Sequence, residues 1–180
     1  MSEAPAEALV TDFKESMARV SSTVAVVTAT ASGGPHGTTV SAFMSLSVNP
    51  PMIVVSLDRS SQLLGLVRAS SRFGVNVLSH DQADIARAFA VKGGEKFTGV
   101  RWAPDRGLPR LDGAAGWLSC AAGRLVDGGD HVLVIGVVEA AEVADRLPLT
   151  YHARSFGTHA PLHGAAPGPL PVPSPGGGSL

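Results

Sequence analysis

His36–Asp58 reads HGTTVSAFMSLSVNPPMIVVSLD, and this stretch decides the fold. From Thr38 onward, hydroxyl and apolar side chains alternate, which is the two-residue period of a β-strand. The alternation predicts that Thr39 and Ser41 share one face of a strand while Val40 lies on the opposite face. We expect that opposite, apolar face to lie in the core.

A proline pair marks the end of this first strand. Asn49-Pro50-Pro51 stops it because proline has no N–H and restricts the residue before it. The following run, Met52–Leu57, is almost entirely apolar, which is the pattern of a strand buried on both faces. The stretch therefore predicts two strands around a Pro-Pro corner, with Met44 on the core face of the first.

Hydroxyl side chains are unusually frequent in and just after this stretch. They are Thr38, Thr39, Ser41, Ser45, Ser47, Ser56 and Ser60. A single serine or threonine most often ends a strand or builds a turn. The whole cluster favours a ligand cradle, because hydroxyls and free backbone N–H groups bind phosphate and ring carbonyls without adding charge.

The rest of the chain predicts a mainly β fold with peripheral helices. Apolar residues at helical spacing predict helices at 9–19, 62–69 and 83–91, the last with Asp81 as its N-cap. Further strands are predicted at 24–30, 72–78, 115–126, 131–143 and 149–156. Because hairpins link most of these six or seven strands, we expect an antiparallel barrel.

Composition limits the class of protein. The chain has 180 residues, is 44% hydrophobic and has a formal net charge of -1, which predicts one globular domain without a basic surface for nucleic acid or membrane. No apolar run approaches the roughly 20 residues of a membrane span, and no secretory signal is visible. With one cysteine, Cys120, we expect a cytoplasmic protein without an internal disulfide. The expected domain is 9–159, between a flexible N-terminus (1–8) and a disordered Pro/Gly-rich tail (160–180).

Few other residues indicate chemistry on their own. Residues 92–113 form a long irregular segment, and such loops are often functional. Asp130-His131 stands at the start of a strand, where an imidazole could contact a ligand, although a turn aspartate beside a half-exposed histidine is the commoner case. Arg154 could pair with a phosphate, but solvated arginines are more frequent. The histidines lack metal-ligand spacing, so no metal site is expected.

Four motifs in this order resemble the flavin reductase family, the reductase components of two-component flavin-dependent monooxygenases. They are His36–Ser47, Asn49–Pro51, Gly129–His131 and Pro148–His152, and the resemblance runs from about Phe13 to Gly157. It implies an antiparallel split β-barrel, the FMN-binding split barrel. It also implies a homodimer that binds FMN or FAD near the subunit interface.

The resemblance also implies which residues form the site. The flavin cradle would be Thr38, Thr39, Val40 and Ser41 on the ribityl phosphate side, with Ser45, Leu46 and Ser47 along the isoalloxazine. Ser56, Asp58, Ser60, Ser61 and Gln62 would continue it, and Lys92, Lys96 and Phe97 would close it. The nicotinamide nucleotide would be received by Asp130, Tyr151, His152 and Arg154, with His131 as the catalytic residue that orients the nicotinamide.

The implied activity is hydride transfer from C4 of NADH or NADPH to N5 of FMN or FAD. Reduced flavin would then diffuse to a separate monooxygenase. No side chain needs to act as an acid or base in that step, which agrees with the absence of a catalytic dyad in the sequence. Two alternatives stay open: a non-enzymatic flavin-binding or redox-sensing module, and an FMN-dependent oxidoreductase acting on an organic substrate.

Overall fold

The computed structural model describes residues 3–31 and 34–162, so the predicted tail lies almost wholly outside the described residues. Its three helices are α1 (Glu3–Ala18), α2 (Gln62–Ser70) and α3 (Ala83–Ala90). Its first six strands are β1 (Ser22–Thr23), β2 (Ala25–Ala31), β3 (Gly34–Val40), β4 (Phe43–Val48), β5 (Pro51–Asp58) and β6 (Arg72–Val77). The other six are β7 (Trp102–Asp105), β8 (Leu108–Leu111), β9 (Gly116–Gly128), β10 (His131–Val143), β11 (Leu149–His152) and β12 (Ser155–Thr158).

The strands form one large sheet and two small ones. The large sheet has the order β3-β2-β6-β9-β10-β5-β4, while β1-β11-β12 and β7-β8 form the small sheets. Every pairing between these strands is antiparallel, as the sequence predicted. The register between β9 and β10 shifts at two places, and such bulges bend a sheet. No helix in the described ranges is long and apolar enough to cross a membrane.

The stretch that decides the fold differs from its predicted form in two respects. The alternating segment is two strands, β3 and β4, separated by a bend at Ser41. As a result Val40 is buried, but Met44 lies 59% exposed on the edge strand β4 rather than in the core. In β5 only every second side chain is buried, so this strand has one buried face, not two. The Pro-Pro corner is confirmed as the β4–β5 turn.

Two apolar clusters meet at β2, which is buried on both faces. Ala25 and Val27 point into the main cluster, together with Phe73 of β6 and the buried side of α2. Val24 and Val26 belong to the second cluster, which lies between β2 and α3. This double burial holds α3 against the outside of the sheet and so fixes one wall of the site described below.

The irregular segment 92–113 contains a hairpin that the sequence did not predict. β7 and β8 lie over the outer face of the large sheet, where the Thr28 hydroxyl donates to the Pro109 carbonyl (2.7 Å). The buried Asn76 side chain accepts from the Leu111 N–H (2.7 Å). The Thr28 hydroxyl and the Asn76 side chain are therefore satisfied under the hairpin, whereas the buried Trp117 Nε1 has no partner among the described residues.

Three smaller predictions need correction. The predicted strand 149–156 is a hairpin, β11–β12, with Ala153 and Arg154 at positive φ in its turn. The N-cap of α3 is Gln82, because the Asp81 carboxylate instead accepts from the Ser79 hydroxyl. The first helix begins at Glu3 and takes in most of the segment predicted to be a flexible N-terminus. Cys120 is buried as predicted, and burial raises the pKa of its thiol to about 12.

Candidate functional site

Three adjoining grooves wrap around strand β3. The hairpin groove, about 640 Å³, is lined by Val24, Thr39, Ser41, Arg87, Tyr151 and Arg154 among others. The central groove, about 250 Å³, includes Thr38, Asp58, Ser60, Ser61, Gln62 and Lys92. The loop groove, about 430 Å³, includes Pro35, Glu95, Phe97 and Thr98. Ala90 lines both of the first two grooves, while His36 and Lys96 line both of the last two.

The strand period explains why the grooves lie around β3. Thr38 faces the central groove and its neighbour Thr39 faces the hairpin groove, because successive side chains point to opposite faces. The Thr39 hydroxyl donates to the Ala86 carbonyl of α3 (2.7 Å), which ties the strand to the helix. A Cβ at Gly37 would lie 2.8 Å from the Phe89 ring, so this close approach of β3 to α3 requires glycine.

The central groove contains an anion whose charge is already balanced. Asp58 accepts from both the hydroxyl and the backbone N–H of Ser60, each at 2.7 Å. These bonds, the hydroxyl bond first, lower the pKa of the Asp58 carboxyl, and Lys92 at 3.9 Å adds to the effect. Because the positive charge of Lys92 offsets the negative charge of Asp58, the charge of Lys96 leaves the groove with a net positive charge.

Lys96 anchors the segment after α3 across the site. Its ammonium donates to the carbonyls of Gly37 (3.2 Å) and Phe89 (3.0 Å), which leaves one of its three donors. Burial lowers the pKa of Lys96, and burial together with the Lys96 charge lowers the pKa of His36. Lys96 takes part in none of the ion pairs found among the described side chains, so its charge is available to an anion.

The N-terminus of α2 opens into the same groove. Its N-cap, Ser61, makes no capping bond with its side chain, and both Ser61 and Gln62 line the groove. The first N–H groups of a helix have no partner within the helix and carry partial positive charge. Together with the hydroxyls and Lys96, this end of α2 has the donor set that binds a phosphate.

His131 lies beside the central groove. It begins β10 and is paired in register with Asp58 at the end of β5. Its Nδ1 is 2.8 Å from Asp130 Oδ1, and its side chain is 43% exposed. The bond to His131 is the main reason why the pKa of Asp130 is lowered. The imidazole is thus held at the edge of the groove with much of its surface free.

The structure brings part of the predicted site together and separates the rest. Residues found in the central groove are Thr38, Asp58, Ser60, Ser61, Gln62, Lys92 and Lys96. Thr39, Ser41, Tyr151 and Arg154 line the hairpin groove, and Phe97 lines the loop groove. Besides Val40, seven predicted side chains line none of the three: Ser45, Leu46, Ser47, Ser56, Asp130, His131 and His152. Val40 is buried and cannot offer its side chain to a ligand.

Several site residues were not predicted from the sequence. Ala86, Arg87 and Ala90 come from one side of α3, and their helical spacing was the available signal. Arg87 lies over the Phe156 ring, 5.1 Å from its centroid. Arg154 donates through both terminal guanidinium nitrogens to the Glu15 carboxylate of α1. Arg154, a predicted nucleotide-binding residue, therefore already has a carboxylate partner.

Comparison with known proteins identifies the family. A family model described as "Flavin reductase like domain" matches residues 17–160. The chain belongs to the flavin reductase-like family. Among curated relatives of this flavin reductase-like chain, the actinorhodin polyketide dimerase of Streptomyces coelicolor is 38% identical, over 86% of this chain and 89% of the relative. The reductase component of 4-nitrophenol 4-monooxygenase/4-nitrocatechol 2-monooxygenase from Rhodococcus opacus is 33% identical, over 86% of this chain and 83% of the relative.

A solved structure supports the same assignment. The NADH:FAD oxidoreductase SgcE6 of Streptomyces globisporus, in complex with NAD and FAD fragments, superposes with a TM-score of 0.80. It is 30% identical, and the alignment covers 84% of this chain and 93% of that one. The mainly antiparallel β architecture of the flavin reductase-like family is therefore confirmed for this chain.

Proposed function

We propose that this chain is an NAD(P)H:flavin oxidoreductase that reduces FMN or FAD and supplies the reduced flavin to a partner monooxygenase. The central groove carries the proposal: helix-end N–H groups, hydroxyls and Lys96 converge there beside His131. Family membership and the reductase relatives agree with it. We take residues 9–159 as the domain that carries this activity, and a cytoplasmic location stays a prediction.

The residues present fit a flavin. We propose that its phosphate lies at the N-terminus of α2, between Ser61 and Lys96, where donors and net positive charge coincide. The ring would then extend past Ser41 toward Ser45, Leu46 and Ser47, as the sequence predicted. When bound, flavin supplies a hydride acceptor, and the protein contributes orientation rather than acid–base chemistry.

His131 is proposed to orient the nicotinamide through its half-exposed imidazole. We expect His131→Ala to raise the KM for NADH by roughly 5-fold, since one hydrogen bond is worth about 1 kcal/mol. Flavin affinity, measured by fluorescence quenching, should change much less. His80→Ala is the matched control, because His80 is exposed and lies outside the three grooves. Unchanged nucleotide kinetics in His131→Ala would remove this residue from the site.

Steady-state oxidation of NADH and NADPH, with and without added FMN or FAD, tests the proposed activity against its alternatives. Turnover that depends on added flavin supports the reductase. Flavin binding without turnover would indicate a binding or redox-sensing module. Turnover that requires an organic acceptor and tightly held FMN would instead indicate an oxidoreductase acting on that acceptor.

Exposed apolar side chains support a homodimer. On α1 and just after it, five large apolar residues are 49% to 70% exposed: Leu9, Val10, Phe13, Met17 and Val20. On the edge strand β4, three are 45% to 79% exposed: Met44, Leu46 and Val48. Such unpartnered surfaces on one small chain indicate a protein interface. We propose that a second copy covers them and lies next to the ring-binding segment of β4.

Val48→Glu is expected to shift the protein from dimer to monomer, because a charge buried in an apolar interface is costly. Light scattering coupled to size-exclusion chromatography measures the mass. Val143→Glu is the matched control, since Val143 is 91% exposed and belongs to β10, not to α1 or β4. A wild-type protein that is monomeric at micromolar concentration would contradict the dimer.

A further inference from the structure

Arg59 connects two parts of the proposed site, although it lines none of the three grooves. It directly follows β5 and lies between Asp58 and Ser60, which both line the central groove. Its side chain extends to the β9–β10 turn, residues 127–130, which leads directly into His131. One residue therefore joins the segment at the proposed phosphate position to the segment that carries the imidazole.

Arg59 forms three contacts with the β9–β10 turn. Its backbone N–H donates to the Asp130 carbonyl (2.9 Å), and its Nη2 donates to the Gly129 carbonyl (3.2 Å). Its Nη1 forms an ion pair with the Asp127 carboxylate (2.9 Å). Among the described residues, no other segment outside the β9–β10 hairpin forms a hydrogen bond or an ion pair with this turn. A guanidinium suits the double side-chain contact because its nitrogens donate in fixed directions.

The β9–β10 turn has little else to hold it in place. All four of its residues are exposed, and Gly129 has a positive φ of 67°. Exposed turns are mobile unless other groups tie them down, and glycine adds conformational freedom. His131 directly follows the turn, and its Nδ1 lies 2.8 Å from the carboxylate of Asp130. The position of Asp130 therefore helps to decide where the imidazole points.

The charge of Arg59 is directed at the turn rather than at a ligand. Its side chain is half-exposed and pairs with Asp127, so the two charges largely offset each other. Lys96, in contrast, lines the central groove and keeps one donor for an anion. Because the proposed phosphate position already has that cation, Arg59 is better suited to holding the turn.

We propose that Arg59 is a positioning residue for His131: it holds the β9–β10 turn so that the imidazole faces the nicotinamide nucleotide. This inference rests on the proposed function and on the role proposed there for His131. Because Arg59 acts on the nucleotide only through His131, its removal should matter only while the imidazole is present. That dependence distinguishes it from a residue that binds the nucleotide or the flavin directly.

Arg59→Met is expected to raise the KM for NADH by roughly threefold, less than His131→Ala, because the imidazole is loosened but not removed. The kcat and the FMN affinity, measured by fluorescence quenching, should each change by less than about twofold. Arg59→Lys should fall between wild type and Arg59→Met, because an ammonium keeps the ion pair with Asp127 but lacks the planar fork. Arg68→Met is the matched control: this arginine is exposed on α2 and lines none of the three grooves, so the same loss of charge should leave the KM unchanged.

The double variant Arg59→Met/His131→Ala decides how Arg59 acts. Its KM for NADH should equal that of His131→Ala alone, since no imidazole is left to orient. A further rise of roughly threefold in the double variant would show that Arg59 acts on the nucleotide by itself, and an unchanged KM in Arg59→Met would show that it has no such role; either result overturns the proposal. A loss of affinity for FMN but not for riboflavin would overturn it as well, because Arg59 would then be a phosphate ligand. If the wild-type protein does not reduce flavin with NADH at all, the proposed function is wrong, and this role falls with it.

Discussion

Lys96→Met is expected to weaken FMN binding by roughly 10- to 100-fold, because a hydrogen bond to a charged group is worth about 1.5–3 kcal/mol. The structure places the ammonium at the central groove with one donor left and no carboxylate partner in the described part of the chain. Methionine keeps most of the length of the side chain but removes the charge. Quenching of flavin fluorescence measures the change.

Riboflavin, which has no phosphate, separates binding from folding in this experiment. Its affinity should change by no more than about twofold in Lys96→Met, since only the phosphate contact is lost. Lys92→Met is the matched variant: this side chain is 90% exposed and faces Asp58, so a smaller loss of FMN affinity is expected. An equal loss for FMN and riboflavin would show that Lys96 acts by holding the loop, not by binding phosphate.

Phe73→Ala is expected to cost about 3–5 kcal/mol of unfolding free energy, the range for removing a buried aromatic ring. Phe73 is fully buried in the main core cluster. It lies against Gly136 of β10, where an added Cβ would be 2.5 Å from the end of the ring. Chemical denaturation measures the loss, and for a chain of this size the melting temperature should fall by roughly 10 °C.

Gly136→Ala provides the control, because it tests the same contact from the opposite side. Alone, it should destabilise the protein by about 1–3 kcal/mol through overpacking. In the double variant the new methyl group enters the space that the ring vacated, so the combined loss should be clearly smaller than the sum. Strict additivity would mean that Phe73 and Gly136 do not pack as the structure shows.

Much of the fold was accessible from local patterns. The β9–β10 pair was predicted from two long consecutive strands linked as a hairpin, and the β4–β5 corner from its two prolines. Both of these features depend on neighbours in the sequence. The family resemblance, not the local pattern, implied Asp58, Ser60, Ser61 and Gln62 as site residues, and the structure places all four in the central groove.

The features that were missed depend on distant parts of the chain. Met44 continues the alternating pattern of the preceding strand, but β4 lies at the sheet edge and no described residue covers Met44 enough to bury it. The β11–β12 hairpin lacks a glycine signal, since its turn places Ala153 and Arg154 in the left-handed region. The role of Glu15 as the partner of Arg154 could not be predicted, because 139 residues separate them.

Anaerobic mixing of catalytic amounts of the purified protein with NADH and excess FMN or FAD tests the central claim most directly. We predict that the visible absorbance of oxidised flavin disappears over many turnovers per protein chain, and that omission of the protein slows this sharply. If the bleaching is no faster than in buffer alone, with either flavin and with NADH or NADPH, the site does not support flavin reduction and the account is wrong.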